Sequence, residues 1–253
     1  MTETVVVAEP PPAFRTRSSD RVIRADHVAE RDLLALARGA AIAIVVPDYF
    51  SPALGREVAG ELLEEPRYGE YENVPGVHAW GVRRYQGRSS RNGEGRYFAE
   101  AVRAIHALRR IWSPHLSPID RLRLELQEAW PAGANMECRH GRRMFVGQVD
   151  VGHPGNGAVP YQDLPGRELT ERQLAAYLHL RVPRTGGELE LCPGNDRDVR
   201  PGPAVTIKPA EGMLILFDSS RLHAVRSGNG TDRVAISCFI GVRGPDHPLT
   251  YWS

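Results

Sequence analysis

Lysine is nearly absent from this chain: Lys208 is the only one, and arginine carries the rest of the basic charge. No charge of either sign dominates, since the formal net charge is +1 at pH 7. That balance argues against a polyanionic partner, and no basic groove or stacking platform points to nucleic acid. Cysteine is scarce as well. Cys138, Cys192 and Cys238 are odd in number and form no CxxC pair, which argues against a disulfide framework and fits a reducing cytoplasm. No hydrophobic run approaches the length of a membrane span. The first twenty residues lack the basic stretch and long apolar run of a secretory leader. A soluble, cytoplasmic protein is expected, with neither membrane nor nucleic acid as partner. The chain also shows no internal repeat.

What is present is a change of texture along 253 residues. Residues 1–20 hold Pro10-Pro11-Pro12 and a Ser/Arg-rich patch and read as a loose arm. The spacing predicts a short helix over 30–38 ended by Gly39, and a buried strand over 41–46. A second helix is expected from Ser51-Pro52 through Leu63, with Ser as N-cap and Pro at the first helical position. Residues 68–95 read as an irregular polar-aromatic loop, of a kind often functional. Amphipathic helices follow over 97–112 and 118–130, the second opened by Ser117 and Asp120 in a capping-box arrangement. From Arg143 onward the pattern changes to short strands, at 144–151, 174–182, 187–192, 204–208, 213–217 and 234–242. The expected class is α+β. Helices over 21–142 would brace a sandwich or small barrel over 143–253, the two making one domain from 21 to 253.

The stretch 212–242 organises this reading. Two apolar runs, 213–217 and 234–242, flank Ser227-Gly228-Asn229-Gly230 and read as a hairpin. His223 follows the first run and Arg233 opens the second. In a hairpin they can face one cavity, where a neutral imidazole suits a first-row metal and a guanidinium forks onto a carboxylate. Equally, both side chains can lie on the outside.

Taken together, four pieces of sequence resemble the iron(II)/2-oxoglutarate-dependent oxygenases, in their prolyl-hydroxylase-like branch. Ala176-Tyr177-Leu178-His179-Leu180 is similar to the strand whose Tyr contacts the co-substrate. Thr185-Gly186-Gly187-Glu188-Leu189 is similar to a Gly-Gly-Glu-Leu strand start. Residues 209–217 resemble a Pro-x-x-Gly-x-Leu-x-x-Phe strand. His223 and Arg233 resemble the second metal His and the Arg that holds the distal carboxylate of 2-oxoglutarate. The resemblance implies a double-stranded β-helix, or jelly roll. It also implies iron(II) and 2-oxoglutarate as cofactor and co-substrate, and molecular oxygen as a reactant.

One position departs from the family. Its first metal motif is His-x-Asp, and here Tyr161-Gln162-Asp163 stands in that place. Three accounts are open. The Tyr161 phenolate binds iron beside Asp163 and His223, with the metal driving its deprotonation. Or another histidine completes the site, His153, His179, His140 or His78. Or the site binds iron weakly or not at all, and the chain is a degenerate or altered relative, a non-catalytic or metal-deficient jelly-roll binding protein.

If iron is held, the resemblance implies that 2-oxoglutarate is oxidised to succinate and carbon dioxide while an unactivated carbon of a small molecule is attacked. Arg233 and Tyr177 would take the distal carboxylate, with Ser237 on the same strand face. The resemblance further implies, since halogenating relatives have a small residue where Asp163 stands, hydroxylation, desaturation or ring closure rather than halogenation. The segment 68–95 and the tail 246–252 are expected to lid the barrel mouth. There Glu72, Arg83, Arg84 and Trp252 suit a zwitterionic substrate. The plan loosely resembles bacterial relatives that modify free amino acids in natural-product pathways.

Overall fold

The computed structural model describes residues 21–65, 68–71, 74–81, 93–157, 171–192 and 204–253. The chain opens with β1 (Val22–Arg24), α1 (Glu30–Ala37), β2 (Ala43–Val46) and α2 (Pro52–Glu64). It continues with β3 (Tyr68–Tyr71), β4 (Val74–Trp80), α3 (Gly93–Trp112) and α4 (Pro118–Ala129). Three short strands follow, β5 (Ala134–Met136), β6 (Cys138–Arg139) and β7 (Arg142–Arg143). Then come β8 (Gln148–Gly152), β9 (Arg172–Arg181), β10 (Thr185–Gly186), β11 (Leu189–Leu191) and β12 (Val205–Ile207). The last five are β13 (Leu214–Asp218), β14 (His223–Val225), β15 (Gly228–Asn229), β16 (Arg233–Val242) and β17 (Leu249–Trp252).

The helices begin where their caps say. Ser51 Oγ accepts from Leu54 N at the start of α2, and Ser117 Oγ accepts from Asp120 N at the start of α4. α1 ends at Arg38, and Gly39 turns the chain at φ +74°.

A large sheet runs β1-β2-β13-β9-β16-β8-β4-β3, with β17 on β16 and β5 on β17. A smaller sheet runs β12-β11-β14. Along β9 the side chains alternate between two cores. Leu174, Ala176, Leu178 and Leu180 pack with Leu36, Leu62, Leu122 and other helix residues on one face. Ala175 and Tyr177 pack with Leu189, Leu191, Ile207 and Val225 of the smaller sheet on the other. The helices therefore cover one face of the large sheet, and the second core lies between the two sheets. This is the α+β jelly-roll plan.

Three expectations need correction. The runs 213–217 and 234–242 do not form a hairpin. β9 lies between β13 and β16 and pairs with both, while Gly228–Asn229 pairs with Thr185–Gly186. Buried strands of this kind are apolar on both faces, so their pattern carries no pairing order. The segment expected to be an irregular loop contains β3 and β4, an antiparallel pair that joins the sheet through β8. The tail is no lid either: β17 adds to the sheet edge, with Phe239↔Trp252 and Leu249↔Ala134 in register. A smaller difference is that β8 begins only at Gln148. Gly147 sits at φ +106° with Leu108 Cδ2 only 2.9 Å from where a Cβ would be, so the chain turns tightly there before extending.

Candidate active site

The inward face of β9 and its neighbours carries an array of rings. His223 is fully buried, and the pairing Leu191↔His223 puts it on the side of Leu191, in the inter-sheet core. Its ring lies 5.1 Å from that of Phe217, which lies 5.2 Å from Tyr177. Tyr177 in turn lies 6.3 Å from His179, and the Arg233 guanidinium stands 5.9 Å from the Tyr177 ring. Two strands of the large sheet, β9 and β16, and one of the smaller, β14, thus bring His223, Tyr177, His179 and Arg233 to one interior. No hairpin joins them, yet His223 and Arg233 both flank the Phe217–Tyr177 pair of rings.

The turn after β13 fixes His223. Asp218 is fully buried, and its Oδ2 accepts from Arg172 Nη1 at 3.1 Å and from Arg221 Nε at 3.3 Å. Its Oδ1 accepts from Ser220 N at 3.2 Å. The carbonyl of Arg221 then meets His223 Nδ1 at 2.8 Å. A carbonyl only accepts, so Nδ1 carries the proton and Nε2 carries the lone pair. A histidine that ligates a metal through Nε2 needs this tautomer, held by this kind of outer bond.

A bulge sets the other end. Val234 pairs with Arg181 but Ala235 pairs with His179, so Leu180 is an extra residue on β9. Past it, His179 and Ala235 share the inward face, and Arg233 lies one alternation further along β16. Arg233 Nη1 is buried with no hydrogen-bond partner among the described residues. An unpaired buried guanidinium nitrogen is costly, so the position fits a ligand carboxylate. That orphaned donor, with His223 in its ligating tautomer, is how the described residues fit 2-oxoglutarate and a metal.

Ser237 faces the same interior, and its hydroxyl donates to Asp150 Oδ2 at 2.6 Å. Gln148 Nε2 donates to the other oxygen of Asp150 at 2.5 Å. Both residues are buried, and sequence reasoning missed them. The alternation Gln148-Val149-Asp150-Val151 on an expected buried strand was the available signal. Trp252 is buried, its ring tilted at 41° to that of Phe239 with 5.9 Å between ring centres. Tyr161, Asp163, Glu72 and Arg83 lie outside the described residues.

Of the alternative ligands, His153 bonds Asp232 Oδ1 through Nδ1 at 2.8 Å, and its ring meets that of His78 at 4.5 Å. His140 is exposed between β6 and β7. Among the described residues no three histidine, cysteine or acidic side chains come together as a metal site. None of these histidines therefore completes a three-ligand site with other described residues.

A profile described as the 2OG-Fe(II) oxygenase superfamily matches residues 147–241, the span from β8 to the end of β16 that carries this array. That match supports the 2OG-Fe(II) oxygenase superfamily as the family of this chain. The chain is 31% identical over 185 residues to the L-gamma-glutamyl-L-propargylglycine hydroxylase of Streptantibioticus cattleyicolor. That alignment covers 62% of this chain and 66% of the hydroxylase, a little under two thirds of its length. The crystal structure of an N-substituted L-amino acid dioxygenase from Burkholderia ambifaria, in complex with alpha-KG, superposes with a TM-score of 0.57 at 17% identity. It covers 88% of this chain and 90% of that one. A 2OG-Fe(II) oxygenase family oxidoreductase from Burkholderia pseudomallei superposes at 0.52 with 14% identity, over 90% of this chain and all of that one. At such identities the two structures speak for the fold, which for this superfamily is the double-stranded β-helix. The superfamily uses iron(II) and 2-oxoglutarate. Among the described residues no helix is long and apolar enough to cross a membrane.

Proposed function

We propose that this protein is an iron(II)- and 2-oxoglutarate-dependent dioxygenase that oxidises an unactivated carbon of a small amino-acid-like molecule. One observation carries the reading: Arg233 has a buried Nη1 with no hydrogen-bond partner among the described residues, and its guanidinium stands in the same array of rings as His223. A dicarboxylic co-substrate supplies the missing partner. His223, Asp163 and Tyr161 would hold the iron, with Tyr161 as phenolate in place of the family's histidine. Bound iron(II) with 2-oxoglutarate supplies the oxidant, consuming molecular oxygen and releasing succinate and carbon dioxide. The chain's own residues do the rest. Arg233 and Tyr177 bind and orient the distal carboxylate. The apolar wall of Phe217, Ile215 and Leu191 keeps water from the reacting centre.

For the substrate, support comes from the hydroxylase relative, whose name specifies a gamma-glutamyl amino acid. A free or gamma-glutamylated amino acid from natural-product biosynthesis fits this chain best. Glu72, Arg83 and Trp252 are the residues proposed to meet its charges and its apolar part. The test is mass spectrometry of a panel of both classes after incubation with iron(II), 2-oxoglutarate and oxygen. A product heavier by one oxygen atom is expected for hydroxylation, or lighter by two hydrogens for desaturation or ring closure. No change across the panel, with no succinate released, contradicts the reading. A metal-deficient binding protein is the second reading, favoured by Tyr161 in place of histidine; it takes up a small molecule without iron and leaves it unchanged.

Two further outcomes are expected. Arg233→Ala weakens 2-oxoglutarate binding by about 1.5–3 kcal/mol, on the order of ten- to a hundred-fold, because a charge-assisted pair is lost. Calorimetric titration with manganese(II) present measures it, and unchanged affinity would place the carboxylate elsewhere. For Tyr161, oxidation of bound iron to iron(III) gives a visible phenolate charge-transfer band that Tyr161→Phe removes. If the band is absent and Tyr161→Phe keeps full iron affinity, the phenolate is not a ligand.

A further inference from the structure

His179 is the buried polar group that the proposed chemistry leaves without a task. Its side chain is 1% exposed, inside the fold and on the inward face of β9. Neither ring nitrogen has a hydrogen-bond partner among the described residues. A neutral imidazole always carries one N–H and one lone pair, so two polar atoms lie buried and unsatisfied. The backbone cannot move to relieve this. His179 N donates to Met213 O at 3.0 Å, and Gly212 N donates to His179 O at 2.9 Å. Gly212 is itself fixed at φ +81° with Phe50 O 2.4 Å from where a Cβ would stand. The ring is therefore held in place with its polar atoms unmet by any described residue.

Its neighbours identify what is missing. His179 and Arg233 flank the same Tyr177 ring, at 6.3 and 5.9 Å. Arg233 also has a buried nitrogen, Nη1, without a partner among the described residues. Burial, then the charge of Arg233, push the imidazole down to about 3, so the ring is neutral at physiological pH and keeps one N–H to give. Two unmet donors beside one aromatic ring match the two oxygens of a carboxylate.

We propose that His179 donates a ring N–H to the distal carboxylate of the co-substrate, sharing it with Arg233, and so helps to set the enzyme's choice of a dicarboxylic 2-oxo acid. The inference rests on the function proposed above and adds to it a residue that selects the co-substrate. A leucine in place of His179 keeps the bulk but removes the donor, and an asparagine restores an N–H at shorter reach.

The experiment is binding of 2-oxoglutarate, and of 2-oxopentanoate, which lacks the distal carboxylate, to manganese(II)-loaded protein by calorimetry. His179→Leu is expected to weaken 2-oxoglutarate on the order of ten-fold or more and to leave 2-oxopentanoate unchanged. His179→Asn should recover part of the loss. Unchanged 2-oxoglutarate affinity in His179→Leu overturns the proposal, and so does an equal loss for both acids, which marks a structural role. Should the Leu variant not fold, nitrogen NMR of ¹⁵N-histidine-labelled wild type decides. A shift of the His179 ring signal with 2-oxoglutarate and not with 2-oxopentanoate is expected, and no shift overturns the proposal. Wild-type binding that depends on Arg233 but not on His179 defeats this proposal alone. Wild-type protein that binds no 2-oxoglutarate defeats the functional reading as well.

Discussion

His223→Ala is expected to strip the protein of iron and of turnover. The imidazole is fully buried, and its Nδ1 proton is committed to the Arg221 carbonyl, so Nε2 is the nitrogen left to ligate. The proposed site of His223, Asp163 and Tyr161 would have no spare donor to replace it. Losing even an outer-shell partner of a metal ligand typically costs about 10–100-fold, so losing the ligand should cost more. Metal analysis after dialysis, with succinate release in parallel, reads both effects. A melting curve close to wild type would separate loss of metal from loss of fold. Full retention of iron would show that the metal centre lies elsewhere.

Asp218→Ala should produce the largest loss of stability. The carboxylate sits between Arg172 and Arg221, and Arg221 is itself 1% exposed. Removing one partner of a buried ion pair leaves charge uncompensated, at a cost of about 3–5 kcal/mol. Urea denaturation followed by tryptophan fluorescence measures it, and a change under about 1 kcal/mol would contradict the account. The same network holds the carbonyl that orients His223, so metal affinity should fall in any Asp218→Asn variant that still folds. A substitution away from the metal thus acts on it through one turn of chain.

Much of this was legible in the sequence because it is local. Ser51 and Ser117 cap helices where a Ser-Pro pair precedes an apolar stripe. Tyr177, His223 and Arg233 stood out because each follows or opens a short apolar run with a recurring neighbour pattern. What was not legible depends on pairing between distant strands. Nothing in 213–217 or 234–242 records that β9 intervenes, because all three strands are buried on both faces. The strand β17 was hidden behind Asp246, His247 and Pro248, which read as loop punctuation. The segment holding β4 has Pro75 and Gly76 inside it, both of which argue against a strand. His179 was considered only as a spare metal ligand. Its place near Arg233 depends on the pairing of β9 with β16, Ala235↔His179, which alternation within one strand does not record.

The central claim is that the interior between the two sheets couples oxygen chemistry to a dicarboxylic co-substrate. The most direct measurement is release of labelled carbon dioxide from 2-oxoglutarate carrying the label in its keto-acid carboxyl, with succinate counted alongside. In the presence of iron(II) and oxygen, wild-type protein should release the two in equal amounts. His223→Ala should release neither, and Arg233→Ala should need far more co-substrate to reach the same rate. Release by wild type that is matched by His223→Ala, or no release by wild type with any amino-acid-like substrate supplied, would contradict it.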